Sequence, residues 1–299
     1  MARTPLFSRQ AQGGFNDYAN FAKHPADIWF VGNCVATATD ALGFGLNPDS
    51  PFATIDYAVS YCTSGAGDVI YVLPGHVEAV TGAGILDLDC AGITIIGLGK
   101  GTYQATISLD AETSDVDIDA ASITIEGMHF LANFADVSVA IDVNATDFTL
   151  RGCRFTATAA CNAEIWVQDA AAAASDRITV EDCWFIDDAA TNDECLAFDG
   201  TGTGHVVRNN RFSGLWGTAC INVTDTCTAM IIADNIIYNV AAASDAAINA
   251  ATATGLCIKN HGSTGNASAD QITAPSMVKC QNYGGLIGDS NGLLEPIAT

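Results

Sequence analysis

The sequence predicts an all-β chain that folds as a right-handed single-stranded parallel β-helix (solenoid) of about eight rungs, with a short N-terminal capping helix. Three observations support this prediction: a segment that recurs every 25 to 30 residues, alternation of apolar and polar residues inside each repeat, and a bend-forming residue after each predicted strand. Self-similarity with a period of about 20 to 50 residues is typical of solenoids.

The repeats can be aligned from their first residues. They begin at Ile93, Ile123, Phe148, Ile178, His205, Met230 and Leu256, and an earlier strand begins near Ile70. The third residue of each repeat is apolar, so it should point into the core. The fifth residue is always one that tolerates a tight, left-handed bend. These residues are Gly97, Gly127, Gly152, Asp182, Asn209, Asp234 and Asn260.

Later positions of the repeat predict further columns. The eighth residue is large and apolar in five successive repeats, namely Phe130, Phe155, Phe185, Phe212 and Ile237. The sixth position becomes polar at Asn210, Asn235 and His261, which predicts an internal polar ladder. A second apolar strand recurs around Ile141, Ile165, Leu196, Ile221 and Ile248. Each turn should therefore contain two or three strands.

The outward positions test the alignment, because side chains in one column should lie about 4.8 Å apart on adjacent turns. The fourth position reads Glu126, Arg151, Glu181 and Arg208. Opposite charges on neighbouring strands stabilise a sheet by roughly 0.2–1 kcal/mol each. The seventh position reads His129, Arg154, Trp184 and Arg211, so guanidinium groups should stack on an indole ring.

Composition limits the classes of partner. The 299 residues are 49% hydrophobic, and 34 acidic residues against 11 basic ones give a formal charge of −23. This charge argues against binding of nucleic acid or an anionic membrane, and an anionic polysaccharide would be repelled at long range. No apolar run is long enough for a membrane span, and the first residues lack the layout of a signal peptide. The 11 cysteines are predicted to be buried thiols rather than a disulfide framework.

The chain divides into three predicted segments: residues 1–30 as an N-terminal arm, 31–262 as the parallel β-helix, and 263–299 as a C-terminal cap or oligomer contact. The arm is locally basic and aromatic, which suits attachment to a partner surface. Its predicted contact residues are Arg3, Phe7, Arg9, Phe15, Tyr18 and Phe21. The alternative is that the arm covers the first rung. Residues 52–60 show helical spacing with Pro51 at the predicted start, and this helix should plug the N-terminal end.

The best local cluster for chemistry is Asp187, Asp188, Asp193 and Glu194. Glycoside hydrolysis needs two carboxyl groups about 5–9.5 Å apart, one with a raised pKa. A solvated acidic loop is the alternative interpretation. The five histidines are dispersed, and no motif predicts a cofactor or a metal. The sequence therefore leaves enzymatic activity uncertain, with a non-catalytic role favoured.

Three segments carry a resemblance to known proteins. The run from Pro51 to Val59 together with Gly67 to His76 resembles the opening of pectate-lyase-like β-helix proteins. With Gly13 to Tyr18 and Ala91 to Gly99 added, the chain is similar to a group of tailed-phage virion proteins. This resemblance implies a trimeric projection on the virion, either a head-decorating protein or a tail spike, and it identifies no catalytic residue.

The leading hypothesis is a structural virion protein that decorates or stabilises the capsid and is anchored by its N-terminal arm. The expected partners are further copies in a homotrimer and the phage major capsid protein or another virion component. The protein would be made in the host cytoplasm and located in the virion. The alternatives are a tail-spike depolymerase, either a polysaccharide lyase or a glycoside hydrolase, and a non-catalytic adhesin that binds a host glycan.

Overall fold

The described chain winds into a parallel β-solenoid of about eight turns, which confirms the predicted fold class. The structure is a computed structural model that describes residues 26–157, 160–169, 175–240, 246–265, 271–286 and 293–295; at 188–191, 286 and 293–295 it describes the backbone alone. Three stacks of strands run along the solenoid.

The first stack is a ten-stranded sheet. Its strands are β1 (Ile28–Val31), β2 (Val69–Val72), β5 (Thr94–Gly97), β8 (Thr124–Glu126), β11 (Thr149–Arg151), β14 (Thr179–Glu181), β17 (Val206–Arg208), β20 (Met230–Ala233), β23 (Gly255–Ile258) and β26 (Met277–Cys280). Leu150 lies opposite Ile125 on one side and Val180 on the other, so the third-position column is continuous as predicted.

The second and third stacks belong to one sheet, because β15 (Trp184–Phe198) and β18 (Arg211–Val223) run through both. The other strands of the second stack are β3 (Val77–Val80), β6 (Thr106–Leu109), β9 (His129–Ala132), β12 (Arg154–Ala157), β21 (Ile236–Asn239), β24 (His261–Thr264), β27 (Asn282–Leu286) and the antiparallel β28 (Leu293–Glu295). The third stack adds β4 (Leu86–Asp87), β7 (Val116–Ile118), β10 (Val137–Val143), β13 (Ala163–Asp169), β22 (Ala246–Asn249) and β25 (Ile272–Thr273). A separate pair joins β16 (Gly202–Thr203) to β19 (Cys227–Thr228).

The predicted register is correct up to the last repeat, which is displaced by one residue. Met230 lies opposite Gly255, so this repeat begins at Gly255 and not at Leu256. Gly255 has a φ of 134°, and a Cβ there would lie 2.0 Å from the Met230 carbonyl oxygen. Only glycine fits at this close approach of the two backbones. Because glycine has no side chain, it interrupts the column of first-position residues from which the repeats were aligned.

The correction moves two predicted residues. Lys259, not Asn260, occupies the bend, where it has a φ of 55° like Asn209 and Asp234. Asn260 then takes the sixth position, which was assigned to His261. Its Nδ2 donates to Asn282 Oδ1 at 3.1 Å, and Asn235 Nδ2 donates to Asn260 Oδ1 at 2.9 Å. The predicted internal polar ladder is therefore a buried ladder of asparagine amides.

A column of stacked rings fills the core beside this ladder. Phe155 lies between Phe130 and Phe185, with ring centroids 4.7 and 4.3 Å apart, and Phe212 continues the stack at 4.9 Å from Phe185. Such aromatic pairs contribute about 0.5–1.5 kcal/mol each beyond the area that they bury. The outward charge columns also align as predicted, and the guanidinium carbon of Arg154 lies 5.5 Å from the Trp184 ring centroid.

One short helix of the described chain, α1 (Ile55–Val59), packs against β1, β2 and β4, and it begins four residues after Pro51 and not beside it. Thr54 sets the start, because its side chain accepts a hydrogen bond from the Tyr57 amide and so caps the helix. The buried Glu78 carboxylate accepts from the Ile55 amide at 3.0 Å and contacts His76 Nε2 at 2.8 Å. A short 3₁₀ helix, Gly101–Tyr103, lies between β5 and β6.

Parallel strand pairing extends from Ile28 to Leu286, so β1 begins three residues before residue 31, and β25, β26 and β27 lie beyond residue 262. The division into arm, β-helix and C-terminal segment stays a prediction. All 11 cysteines are free, and the prediction of buried thiols holds for seven of them. Cys34 and Cys280 are exposed, and Cys62 and Cys161 are partly buried. Within the described ranges, no helix has the length and apolar character required to cross a bilayer.

Candidate functional site

Strand β15 contains the four acids that the sequence predicted as a catalytic cluster, namely Asp187, Asp188, Asp193 and Glu194. The described side chains among them do not lie together. Asp187 points into the core, where its Oδ2 accepts from Trp166 Nε1 at 3.1 Å and from the Ala163 amide at 3.4 Å. Glu194 is half-buried on the outer surface of the third stack, and Asp193 is exposed. The side chain of Asp188 lies outside the described residues. Asp187 and Glu194 therefore lie on opposite sides of the strand.

Glu194 belongs to a different polar group, which covers Ala197 on the third stack. Its Oε1 accepts from Asn222 Nδ2 at 2.5 Å on the next turn. Asp199 accepts from Gln168 Nε2 at 2.8 Å on the preceding turn. Gln168, Ala197 and Asn222 are register neighbours. Two carboxyl groups of one turn, Glu194 on β15 and Asp199 just after its end, are thus held in place by amides from the turns on either side.

The pKa of Glu194 is raised to about 7. Burial is the main cause, the hydrogen bond from Asn222 opposes it, and the negative charges of Asp199 and Asp193 add to it. A carboxyl group with a pKa raised to about 7 is partly protonated at neutral pH. It can therefore donate a proton or a hydrogen bond, as a general acid does.

An acidic column on the same stack was missed by the sequence prediction. Asp87, Asp117 and Asp142 lie opposite one another on three successive turns. Asp119 flanks them, and its Oδ1 accepts from Asn144 Nδ2 at 3.1 Å. The signal was present in the sequence as the recurring triplets Asp-Leu-Asp, Asp-Ile-Asp and Asp-Val-Asn that end at residues 89, 119 and 144.

Like charges at the spacing of adjacent strands should keep protons on these carboxyl groups. The pKa of Asp117 is raised to about 6, mainly by burial and then by the charges of Asp115, Asp119, Asp142 and Asp87. One oxygen each of Asp87, Asp115 and Asp142 is buried without a hydrogen-bond partner in the described part of the chain. The same part contains no group of three or more His, Cys, Asp or Glu side chains arranged to hold a metal ion.

The column changes character toward the C-terminal end. After Gln168 and Ala197 it continues through Asn222 and Asn249, and Asn249 Nδ2 donates to Asn222 Oδ1 at 2.8 Å. The third stack thus presents carboxyl groups on its early turns and amides on its later turns. Carboxyl and amide groups in a row can exchange hydrogen bonds with the hydroxyl groups of a sugar chain.

A second titratable pair lies inside the solenoid. The pKa of Asp169 is raised to about 7 by burial, and that of His205 is lowered to about 4 by the same cause. Ser175 Oγ donates to Asp169 Oδ1, and His205 Nδ1 accepts from the Ile178 amide at 3.2 Å. His205 Nε2 and Asp169 Oδ2 are 4.0 Å apart. Both side chains are enclosed in the core, so a substrate from solution does not reach this pair.

The predicted attachment residues lie outside the described part of the chain. Arg3, Phe7, Arg9, Phe15, Tyr18 and Phe21 all precede residue 26. Their role as a partner contact stays a prediction.

The chain is similar in fold to solved structures of polysaccharide lyases. One is described as "Rhamnogalacturonan lyase", with a TM-score of 0.50, 10% sequence identity and coverage of 90% of both chains. Another is pectate lyase Pel9A, with a TM-score of 0.51, 11% identity and coverage of 92% of this chain and 82% of the other. No family model matches the sequence, and a comparison with curated proteins finds no match. At such low identity the two structures establish the pectate-lyase-like parallel β-helix fold and nothing finer.

Proposed function

We propose that this chain is a structural component of a tailed-phage particle, a capsid-decorating or stabilising β-helix projection anchored by residues 1–30. The proposal is supported by one observation: buried acidic side chains join neighbouring turns of the solenoid to one another. Glu181 binds Arg151 and Arg208 on the strands either side, and Glu78 joins β3 to the capping helix. Ion pairs and hydrogen bonds between turns stiffen the solenoid, and a projecting part of a particle must be stiff.

The resemblance of residues 13–18, 51–59 and 91–99 to phage virion proteins supports the same proposal. The lyase names of the two solved structures do not bear on a particle role, because a fold of this kind serves unrelated functions.

The test is a truncated chain that lacks residues 1–25, offered to particles assembled without the native protein. We expect the truncated chain to keep its β-sheet circular dichroism and thermal transition but to be absent from purified particles. The matched control is the full chain with Trp184→Ala, an exposed change on the body that should leave incorporation intact. Full occupancy by the truncated chain would overturn the assignment of the arm.

A second function is favoured by one specific observation, the polar group of Glu194, Asp199, Gln168 and Asn222. A partly protonated carboxyl group beside a second carboxyl group is the arrangement used in glycoside hydrolysis. Among the described residues, the third-stack portions of the strands contain no Lys or Arg, since Arg211 lies at the second-stack end of β18. A lyase reaction with a basic side chain as proton acceptor is therefore less well supported there. The substrate class would be a neutral glycan, because the surface would repel an anionic one.

This second function is tested by incubating the full chain with neutral bacterial surface polysaccharides and measuring new reducing ends. Hydrolysis should be lost in Glu194→Gln and kept in Asp193→Asn, which changes an exposed acid one residue away. Retention of a glycan without release of new ends would instead favour an adhesin. If the chain neither binds nor hydrolyses any polysaccharide of a broad panel, the structural role is the function that it supports.

A further inference from the structure

Two arginines on alternate turns of the solenoid share one anion in the fourth-position column. Glu181 lies between Arg151 and Arg208 there. Its Oε1 accepts from Arg151 Nε at 2.5 Å, and its Oε2 accepts from Arg208 Nε at 2.6 Å. Two guanidinium groups separated by two strand spacings, about 9.6 Å, therefore close on a single carboxylate placed between them.

The seventh-position column repeats this arrangement without the anion. Trp184 lies between Arg154 and Arg211 on the same three turns. Trp184 and Arg211 are exposed, and the guanidinium carbon of Arg154 lies 5.5 Å from the indole centroid. Within the described ranges, Arg154 and Arg211 have no ion pair with a carboxylate, whereas Arg177 pairs with Asp147. Guanidinium and indole groups donate hydrogen bonds and accept none, so this column favours an anionic acceptor.

The surface around this column lacks acidic side chains. Two outward columns run along the second stack, one from Val77 to Tyr283 through Trp184 and one from Ala79 to Gly285 through Ile186. Neither column contains Asp or Glu, although the chain has 34 acidic residues. We call these two columns the second-stack strip. Charges elsewhere on the chain are screened beyond about 8 Å at physiological salt, so the two arginines dominate the field next to Trp184.

The exposed side chains of the second-stack strip have the composition of a protein interface. Trp184, Tyr238 and Tyr283 are 46%, 44% and 47% exposed, and Ile236 is 52% exposed. Trp, Tyr and Arg are enriched among the residues that dominate binding energy in protein interfaces, and Asp and Glu are depleted there. The strip therefore suits a protein partner, and its arginines specify the charge that this partner must present.

We propose that the second-stack strip binds an acidic segment of a partner protein, with one carboxylate of that segment between Arg154 and Arg211 beside Trp184. This carboxylate takes the position that Glu181 holds in the neighbouring column. The proposal does not rest on the particle role, because attachment to a particle is assigned to residues 1–30.

The first test examines the two arginines without any ligand. Trp184→Glu places a carboxylate between Arg154 and Arg211, and Trp184→Gln is the matched neutral change. On a chain of charge −23, one more negative charge should lower the thermal midpoint unless the two guanidinium groups bind it. We expect Trp184→Glu to have the higher thermal midpoint at pH 7. A midpoint equal to or below that of Trp184→Gln would overturn the proposal.

The second test applies full-length protein, at physiological salt, to an array of short synthetic peptides. In each peptide, apolar residues surround one position that is Glu, Asp, Gln or Asn. The wild-type chain should bind acidic peptides at least about threefold more tightly than their amide counterparts. The double variant Arg154→Met, Arg211→Met and the single variant Trp184→Glu should lose this preference. Arg177→Met is the matched control and should keep it, because Arg177 lies outside the strip and already pairs with Asp147.

Equal binding of acidic and amide peptides by the wild-type chain, or a preference that the double variant keeps, would overturn the proposal. Carboxylated oligosaccharides on the same array test another occupant, and retention of these but of no peptide would exclude a protein partner. Light scattering tests a second copy of the chain. A wild-type mass above 30.9 kDa that the double variant reduces to the monomer would assign the strip to contacts between copies and would also overturn the proposal. Unchanged far-ultraviolet circular dichroism shows that each variant is folded.

Discussion

Arg151 and Glu181 lie opposite each other on neighbouring strands although they are 30 residues apart, and Arg151 Nε donates to Glu181 Oε1 at 2.5 Å. Arg208 approaches the other carboxylate oxygen from the next turn, with Nε at 2.6 Å. Burial raises the pKa of Glu181, but the two arginines outweigh it, so the pKa lies below its ordinary value of 4.5. One buried carboxylate thus joins three turns of the solenoid.

Glu181→Gln should destabilise the solenoid by about 1–2 kcal/mol, since it weakens two ion pairs worth roughly 0.2–1 kcal/mol each and leaves a buried group less well paired. Because the Glu181 pKa is depressed, the stabilisation is present above about pH 4.5 and is lost as the pH falls further. Thermal unfolding at pH 7 and pH 3.5 measures both effects. Arg177→Met, which breaks the exposed pair with Asp147, is the control and should cost less. An equal loss for both variants would contradict the prediction.

Asn235→Asp should lower the free energy of unfolding by more than any single surface substitution does. Asn235 Nδ2 donates to the Val207 carbonyl and to Asn260 Oδ1, both at 2.9 Å, and a carboxylate cannot donate either bond. An unpaired charge in this fully buried ladder should cost on the order of 3–5 kcal/mol. Urea unfolding at pH 7 is the measurement. Asn249→Asp makes the same change in the outward ladder and should cost much less, so similar midpoints would refute the argument from burial.

Asp169→Asn should change how stability depends on pH. The folded protein binds the Asp169 proton more tightly than the unfolded chain does, because its pKa is about 7 instead of 3.8. Its contribution therefore favours folding at low pH and is lost as the pH rises from about 4 to about 7, by at most about 1.4 kcal/mol per pH unit.

The variant lacks this titration, so its stability relative to wild type should increase between pH 4.5 and pH 8. Its amide oxygen can still accept from Ser175. His205, with a pKa lowered to about 4, contributes in the opposite direction in both proteins, and the difference between them therefore reports mainly the carboxyl group. Thermal midpoints that differ by a constant amount at all pH values would show that Asp169 does not titrate in this range.

Thiol labelling should distinguish surface cysteines from core cysteines. Cys34 and Cys280 are exposed and should react first with a thiol reagent at pH 8. Burial raises the pKa of Cys62 to about 12, and it raises that of the enclosed Cys195 as well, so these thiols should stay unreactive in the folded chain. Denaturation should release all 11. In a Cys34→Ser, Cys280→Ser variant, rapid labelling of more than one thiol would contradict this prediction, because only the partly buried Cys161 then lies outside it.

The repeat allowed the stacks to be predicted because each column repeats one physical requirement. Phe155 has a phenylalanine on the turn before it and on the turn after it, and so does Phe185. The alignment therefore placed the ring stack correctly. The last repeat failed at Gly255, where close backbone approach required a residue that carries no hydrophobic signal. The capping helix was predicted from its apolar spacing, but its start was decided by Thr54 and Asp40, which accepts from the Ala53 and Thr54 amides.

The candidate site was predicted less well, for a related reason. Proximity along the chain suggested that Asp187 and Glu194 act together, but a strand directs its side chains to opposite faces, and the irregular pairing between Asp187 and Asn192 alters that alternation. Glu194 instead belongs with Gln168, Asp199 and Asn222, and two of these lie on other turns. The acidic column of Asp87, Asp117 and Asp142 was visible as repeated triplets, but only pairing between turns made it one surface.

The sequence by itself determined the solenoid, the columns of the first stack, the ion-pair ladder and the phenylalanine stack, because a repeat fixes which side chains meet their counterparts one turn away. Only the tertiary structure decided the phase of the last repeat and the directions in which Asp187 and Glu194 point. Those features depend on where the backbone bends and on contacts between residues of unlike position, and a periodic pattern carries no information about either.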